Sequence, residues 1–197
     1  MKVALTGPAC SGKSTLLKEL AQILSDRGYK IKIFDEIARD YIKESSQFDQ
    51  HQLELKLFRL YLRRYSQMKD ADIYLLDRDL IDVFCYTLLY DRRPDAIPLA
   101  EEIESAIHKY HADVYFLLLP LNKWEPAGRL PLEHSFEVRE WEYLFWKHWL
   151  YSLFPRDIFI IDIDVSLTSP KDIANLIEIY YKILGAKHGK ARTKSCQ

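Results

Sequence analysis

The residues Gly7-Pro8-Ala9-Cys10-Ser11-Gly12-Lys13-Ser14 carry the spacing G-x-x-x-x-G-K-S. This pattern grips polyphosphate. Its glycines permit a tight turn, successive backbone N–H groups and a helix N-terminus form an anion cradle, the lysine reaches the β- and γ-phosphates, and the serine hydroxyl holds Mg²⁺. The flanks supply the context the motif needs. Residues 2–6 form a short β-prone run, and from Thr15 onward apolar residues recur at helical spacing. ATP with Mg²⁺ is therefore expected on Gly7, Pro8, Ala9, Cys10, Ser11, Gly12, Lys13, Ser14 and Thr15, with Ser14 a metal ligand. Cys10 occupies a permissive position of the motif and reads as a spacer.

A phosphate cradle names the ligand class, not the reaction. Later acids and cations narrow it. Asp77 ends the apolar run 73–76, where a second carboxylate orders the Mg²⁺ hydration shell. Arg78 follows, a planar cation suited to phosphate. Asp35 and Glu36 end the run 30–34, and either is placed to orient or deprotonate an attacking hydroxyl. Arg39, three residues after Glu36, shares a helix face with it. Arg129, in an irregular loop over 120–134, is a candidate lid cation for the transferred phosphoryl group, with Arg139 as its rival. Leu121-Asn122-Lys123-Trp124-Glu125 imitates a guanine-reading N-K-x-D motif. The D-x-x-G of such switch proteins is missing, because Asp77-Arg78-Asp79-Leu80 stands where it would fall.

The elements that must position these groups alternate between strand and helix. Strands are expected at 2–6, 30–34, 73–76, 114–119 and 158–163. Helices are expected at 13–27, 48–69, 80–90, 98–110, 135–153 and 170–184. Continuous apolar strands separated by helices argue for a parallel sheet covered on both faces, an α/β fold, whose ligands lie beyond the strands' carboxyl ends. The P-loop, Asp35-Glu36, Asp77-Arg78 and the 120–134 loop should therefore meet on one rim. Gly28 and Gly185 read as left-handed caps ending the first and last helices. Helix 135–153 is aromatic on more than one face, which points to deep burial or a homodimer contact.

Composition removes several classes. The chain has 197 residues and a net charge of −1, so one domain is expected, with no bulk attraction to nucleic acid or a membrane surface. Cys10, Cys85 and Cys196 form no CxxC pair, which argues against structural zinc or a disulfide framework. With neither a signal peptide nor an apolar run of about 18 residues, a cytoplasmic protein is expected. Residues 1–185 are read as one P-loop domain and 186–197 as a basic, disordered tail.

Together the P-loop, the segment Asp35-Glu36-Ile37-Ala38-Arg39-Asp40-Tyr41 and the segment 75–82 resemble the NadR-type ribosylnicotinamide kinases and the related AAA_28 group of P-loop kinases. Asp77-Arg78 followed by a helix with Tyr86 also resembles the thymidylate kinase pattern. The resemblance implies a three-layer P-loop NTPase domain whose five-stranded parallel sheet has the order 2-3-1-4-5. It implies an ATP-dependent kinase acting on a nucleoside-, riboside- or nucleotide-like small molecule. Carried over by position, Glu36, Arg39, Asp77, Arg78 and Asp82 fall on the substrate side, and Arg129 on the lid. A nucleotide-driven regulatory ATPase working through a protein partner is the alternative; a polynucleotide 5′-kinase is disfavoured because no basic groove is evident.

Overall fold

Runs of apolar residues form the strands: β1 (Lys2–Thr6), β2 (Ile31–Phe34), β3 (Ile73–Asp77), β4 (Val114–Leu118) and β5 (Phe159–Ile163). The computed structural model describes residues 1–36, 38, 49–123, 135–154 and 158–193, with side chains through Gly185. All strand pairings are parallel, in the order β2-β3-β1-β4-β5. This is the order the resemblance implies. Neighbouring strands out of sequence order require crossovers, and the helices between them supply these.

Six helices lie among the described residues: α1 (Lys13–Asp26), α2 (Gln50–Ser66), α3 (Leu80–Tyr90), α4 (Ala96–Ile107), α5 (Phe136–Leu153) and α6 (Pro170–Thr193). They divide between the two faces of the sheet. Val3 and Leu5 of β1 and Phe116 of β4 pack with Leu17, Leu20 and Leu24 of α1 and Ile173 and Ile177 of α6. Ala4, Leu76 and Tyr115 pack on the other face with Phe58 of α2, Phe84 of α3, Ile103 of α4 and Trp146 of α5. Alternate residues of a strand point to opposite faces, so the central strands are apolar along their middles, with the polar Lys2, Thr6 and Asp77 at their ends.

Local signals set the ends. Gly28, at φ 92°, closes α1 in the left-handed region, as expected. Ser169 accepts from the Asp172 N–H at 3.2 Å ahead of Pro170, the first residue of α6. The other end of α6 differs from the sequence expectation. The backbone stays helical past Gly185 to Thr193, where a stop and a disordered tail were expected. Glycine inside a helix costs only about 1 kcal/mol relative to alanine. The residues that follow it are helix-compatible and basic, which suits the negative end of the helix dipole.

Helix α5 resolves its excess of aromatics by splitting them. Trp146, Leu150 and Leu153 are buried together with Arg139 and Glu142, whereas Trp141, Leu144 and Tyr151 are more than half exposed.

Candidate active site

The P-loop joins β1 to α1, and its shape is set by backbone conformations that few residues tolerate. Gly7 has φ 122°, and a Cβ there would lie 2.8 Å from the Leu118 carbonyl oxygen. Gly12 has φ 85° and precedes the first turn of α1. Cys10, at φ 54°, takes the left-handed region despite its side chain. The turn therefore presents its N–H groups around one cavity.

Lys13 is buried in that turn. Its ammonium donates to the Gly7 carbonyl at 2.9 Å, the Pro8 carbonyl at 2.6 Å and Ser11 Oγ at 3.0 Å. Burial lowers its pKa to about 8, with the Arg78 guanidinium adding to the effect. Ser14 Oγ donates to Asp77 Oδ2 at 2.6 Å, which joins the start of α1 to the tip of β3. The other oxygen, Asp77 Oδ1, is buried with no hydrogen-bond partner. Burial, reinforced by the nearby Glu36 carboxylate, pushes the Asp77 pKa up.

Arg78 is the next residue and has φ 73°. The strained turn swings its guanidinium back over the P-loop. Nε donates to Glu36 Oε1 at 2.8 Å, and Nη1 donates to the Gly7 carbonyl and to Asp82 Oδ1, each at 3.2 Å. Its Cζ lies 5.1 Å from the centroid of the Tyr86 ring, a cation–π contact. The sequence left Asp35 and Glu36 equivalent. The structure separates them: Asp35 is exposed, and Glu36 faces the P-loop through Arg78.

Asp82, expected on the substrate side, is buried beneath Arg78 and engaged through both carboxylate oxygens. Oδ1 accepts from Thr6 Oγ1 at 2.8 Å, Trp146 Nε1 at 3.0 Å and Arg78, and Oδ2 accepts from the Asp79 N–H at 2.9 Å. These bonds hold its carboxylate under the Arg78 guanidinium. Asp79 is locked similarly, accepting from Tyr65 at 2.8 Å and Tyr115 at 2.6 Å. Burial raises its pKa against the pull of these hydroxyls.

Three strand tips thus converge as expected. Cys10, Ser11, Gly12, Lys13, Ser14, Thr15, Glu36 and Arg78 surround one cleft of about 160 Å³, together with Leu121 and Lys123 beyond β4. Arg39, Arg129 and most of the 120–134 loop lie outside the described residues. Arg139, the rival lid cation, is buried, and its Nη1 donates to the Leu121 and Lys123 carbonyls at 3.0 and 2.7 Å. It pins the end of the β4 loop to α5. Sequence reasoning missed Thr6, Trp146 and Lys123. No local pattern marks the first two, whereas Lys123 stood inside the imitation guanine motif.

A family model for an AAA domain, AAA_28, matches residues 2–165. The chain belongs to the AAA_28 family. Several solved structures share the fold of this AAA_28 member. The NadR protein in complex with NR is 19% identical at a TM-score of 0.70, over 92% of this chain and 51% of that one. Deoxyadenosine kinase from M. mycoides with bound dATP is 18% identical at 0.61, over 90% and 97%. Thymidylate kinase from Candida albicans is 16% identical at 0.59, over 95% and 92%. No curated protein matches the AAA_28 chain by sequence.

Proposed function

We propose that this protein is an ATP-dependent small-molecule kinase. It transfers the γ-phosphoryl group to a nucleoside-, riboside- or nucleotide-like acceptor. The observation that carries the reading is the Glu36–Arg78 ion pair, 2.8 Å long, which stands in the same cleft as Lys13 and Ser14. A triphosphate cradle beside a carboxylate and a guanidinium offers both a proton acceptor for an attacking hydroxyl and charge neutralisation for the group in flight. Two of the fold neighbours, a deoxyadenosine kinase and a thymidylate kinase, favour the same class.

In this reading the backbone of Gly7 through Thr15 wraps the phosphates, and Lys13 turns from the loop carbonyls onto the β- and γ-phosphates. Ser14 and Asp77 fit a Mg²⁺ ion. They are paired hard oxygen donors, and the buried Asp77 Oδ1 has no other partner. When bound, the ion neutralises charge on the phosphates. Glu36 releases Arg78 to the transferring group and takes up the acceptor's proton, while Asp82 and Thr6 hold Arg78 at its turn. Arg39 completes the acceptor side, and Arg129 supplies the lid cation.

The exposed Trp141, Leu144 and Tyr151 face of α5 is the surface this reading offers to a second copy. Among the described residues no helix is long and apolar enough to cross a membrane, and we place the protein in the cytoplasm.

Purified protein with ATP, Mg²⁺ and a panel of nucleosides, ribosides and nucleotides tests the activity. ADP should appear together with a phosphorylated acceptor, at a turnover of about 1–100 s⁻¹ for a good substrate. ATP hydrolysis with no phosphorylated product would reject the kinase reading in favour of a regulatory ATPase.

A pH dependence follows from Lys13. Its pKa is about 8 in the free protein, and neighbouring phosphates raise it on binding. Nucleotide affinity should therefore be flat below that value. It should weaken as pH rises through about 8, because binding there requires proton uptake, with a limit of about tenfold per pH unit. Dissociation constants at several pH values, with calorimetry in buffers of different ionisation enthalpy, check this; affinity unchanged up to pH about 9.5 contradicts it.

A further inference from the structure

The Asn122-Lys123 pair of the guanine-like motif takes no part in the reaction described above. The fold nevertheless brings Lys123 to the phosphate cleft, which it lines together with Leu121, Cys10, Ser11 and Gly12. The sheet order explains how. Strand β1 lies between β3 and β4, so the P-loop leaving β1 has the tip of β3 on one flank and the tip of β4 on the other. Each flank is bonded to the loop. Arg78, after β3, donates to the Gly7 carbonyl at 3.2 Å, and the Leu121 N–H, after β4, donates to the Cys10 carbonyl at 3.2 Å.

The backbone around Lys123 is held at several points. Its N–H donates to the Leu121 carbonyl at 2.7 Å. Arg139 of α5, 2% exposed, donates from Nη1 to the Lys123 carbonyl at 2.7 Å and to the Leu121 carbonyl at 3.0 Å. Burying a guanidinium is costly unless its donors are paired, and here the pairing fixes the end of the β4 loop. Leu121 also packs on the cradle: a Cβ on Gly12 would lie 3.7 Å from Leu121 Cδ1. The side chain of Lys123 is exposed, so a mobile ammonium starts from a backbone fixed against the P-loop. Lys13 and Arg78, by contrast, are each 6% exposed and sit deep in the site, bonded to its carbonyls and carboxylates. A phosphate chain seated on the loop's N–H groups turns its remaining oxygens outward. An ammonium on a flexible stem suits them, since it demands no fixed plane of approach.

We propose that Lys123 is a donor-binding residue: its ammonium reaches from the β4 flank to the phosphate chain of the bound nucleoside triphosphate, on the side away from Arg78, and Arg139 holds its backbone in place. The proposal rests on the ATP-binding half of the kinase reading and adds a residue to that site. The contact is electrostatic and lies at the mouth of the cleft, so it depends on charge and on ionic strength and is indifferent to the base. A lysine that served a guanine-reading motif would instead act through the base.

Inorganic tripolyphosphate separates the two, because it carries the phosphates without a base. Dissociation constants for ATP and for tripolyphosphate, each with Mg²⁺, are measured at about 0.05 M and about 0.5 M salt. The proteins are the wild type, Lys123→Gln, Lys123→Arg and Lys69→Gln. Lys69 is exposed and precedes β3, at the end of the sheet remote from the cleft, so its change removes the same charge elsewhere. At the lower salt Lys123→Gln should weaken both ligands by about threefold or more, with an unchanged melting temperature because the side chain is exposed. The loss should shrink at the higher salt, where an exposed charge pair is screened. Lys123→Arg should recover most of the affinity, and Lys69→Gln should show no comparable loss. A smaller loss in Lys123→Gln, a loss for ATP alone, a loss equal at both salt concentrations, an equal loss in Lys69→Gln, or no recovery in Lys123→Arg overturns the proposal. So does a wild type that binds ATP and not tripolyphosphate. In all these cases ATP binding by the wild type leaves the kinase reading standing. A wild type that binds neither ligand removes both.

Discussion

Lys13→Ala will reduce phosphoryl transfer by a factor on the order of a thousand. The ammonium is the cation inside the P-loop turn, held by two carbonyls and Ser11 Oγ within 3.0 Å. Removing it takes away the cation that the P-loop itself supplies, at the point where charge develops in the transition state. The fold should survive. The turn is shaped by Gly7 and Gly12 in conformations that do not depend on the lysine, and alanine at this position relieves the burial of a charge. The informative result is therefore an unchanged melting temperature with lost turnover. A variant that keeps near wild-type kcat would remove the P-loop from the chemistry.

Glu36→Gln should lower kcat by about a hundredfold to a thousandfold while leaving nucleotide affinity within about threefold. The amide keeps the size of the side chain and loses both its basicity and its charge-assisted bond to Arg78 Nε. Arg78 retains Asp82 and the Gly7 carbonyl, so the guanidinium stays near its place. The substitution also removes a carboxylate that adds to the effect of burial in raising the Asp77 pKa, so metal-dependent binding should not suffer. Steady-state kinetics with an identified acceptor, alongside nucleotide titration, separate the two effects. Equal loss of affinity and kcat would mean that Glu36 shapes the cleft instead of handling the proton. The matching Asp35→Asn change, on an exposed side chain, should alter kcat by less than about twofold.

Much of this site was written locally. The cradle is one contiguous stretch, and Asp77, Arg78 and Glu36 each follow an apolar run that had to become a parallel strand, whose end faces the ligand rim. One ambiguity was solvable from the pattern. Phe34 is buried and Asp35 exposed, and alternation in an extended chain returns Glu36 to the side of Phe34. Other features had no local signature. Asp82 looks like an ordinary acid in the first turn of a helix, and only packing against Trp146, 64 residues away, makes it the group that fixes Arg78. Arg139 looks like a surface or lid cation, and its burial depends on two carbonyls at the end of another element. Such bonds follow from how layers stack, and periodicity within a segment carries no trace of them. The run of α6 past Gly185 was missed for a different reason. Glycine marks a possible stop, but whether the helix ends there depends on a small energy difference.

The three bonds that occupy Lys13 at rest have a corollary for selectivity. An incoming ligand must supply substitutes for the Gly7 carbonyl, the Pro8 carbonyl and Ser11 Oγ while also spanning the backbone amides of the loop. Free orthophosphate is too short to do both, and a chain of linked phosphates is long enough. The loop thus sets an entry threshold by ligand length, and common small anions in the surrounding medium should fail to displace these three bonds.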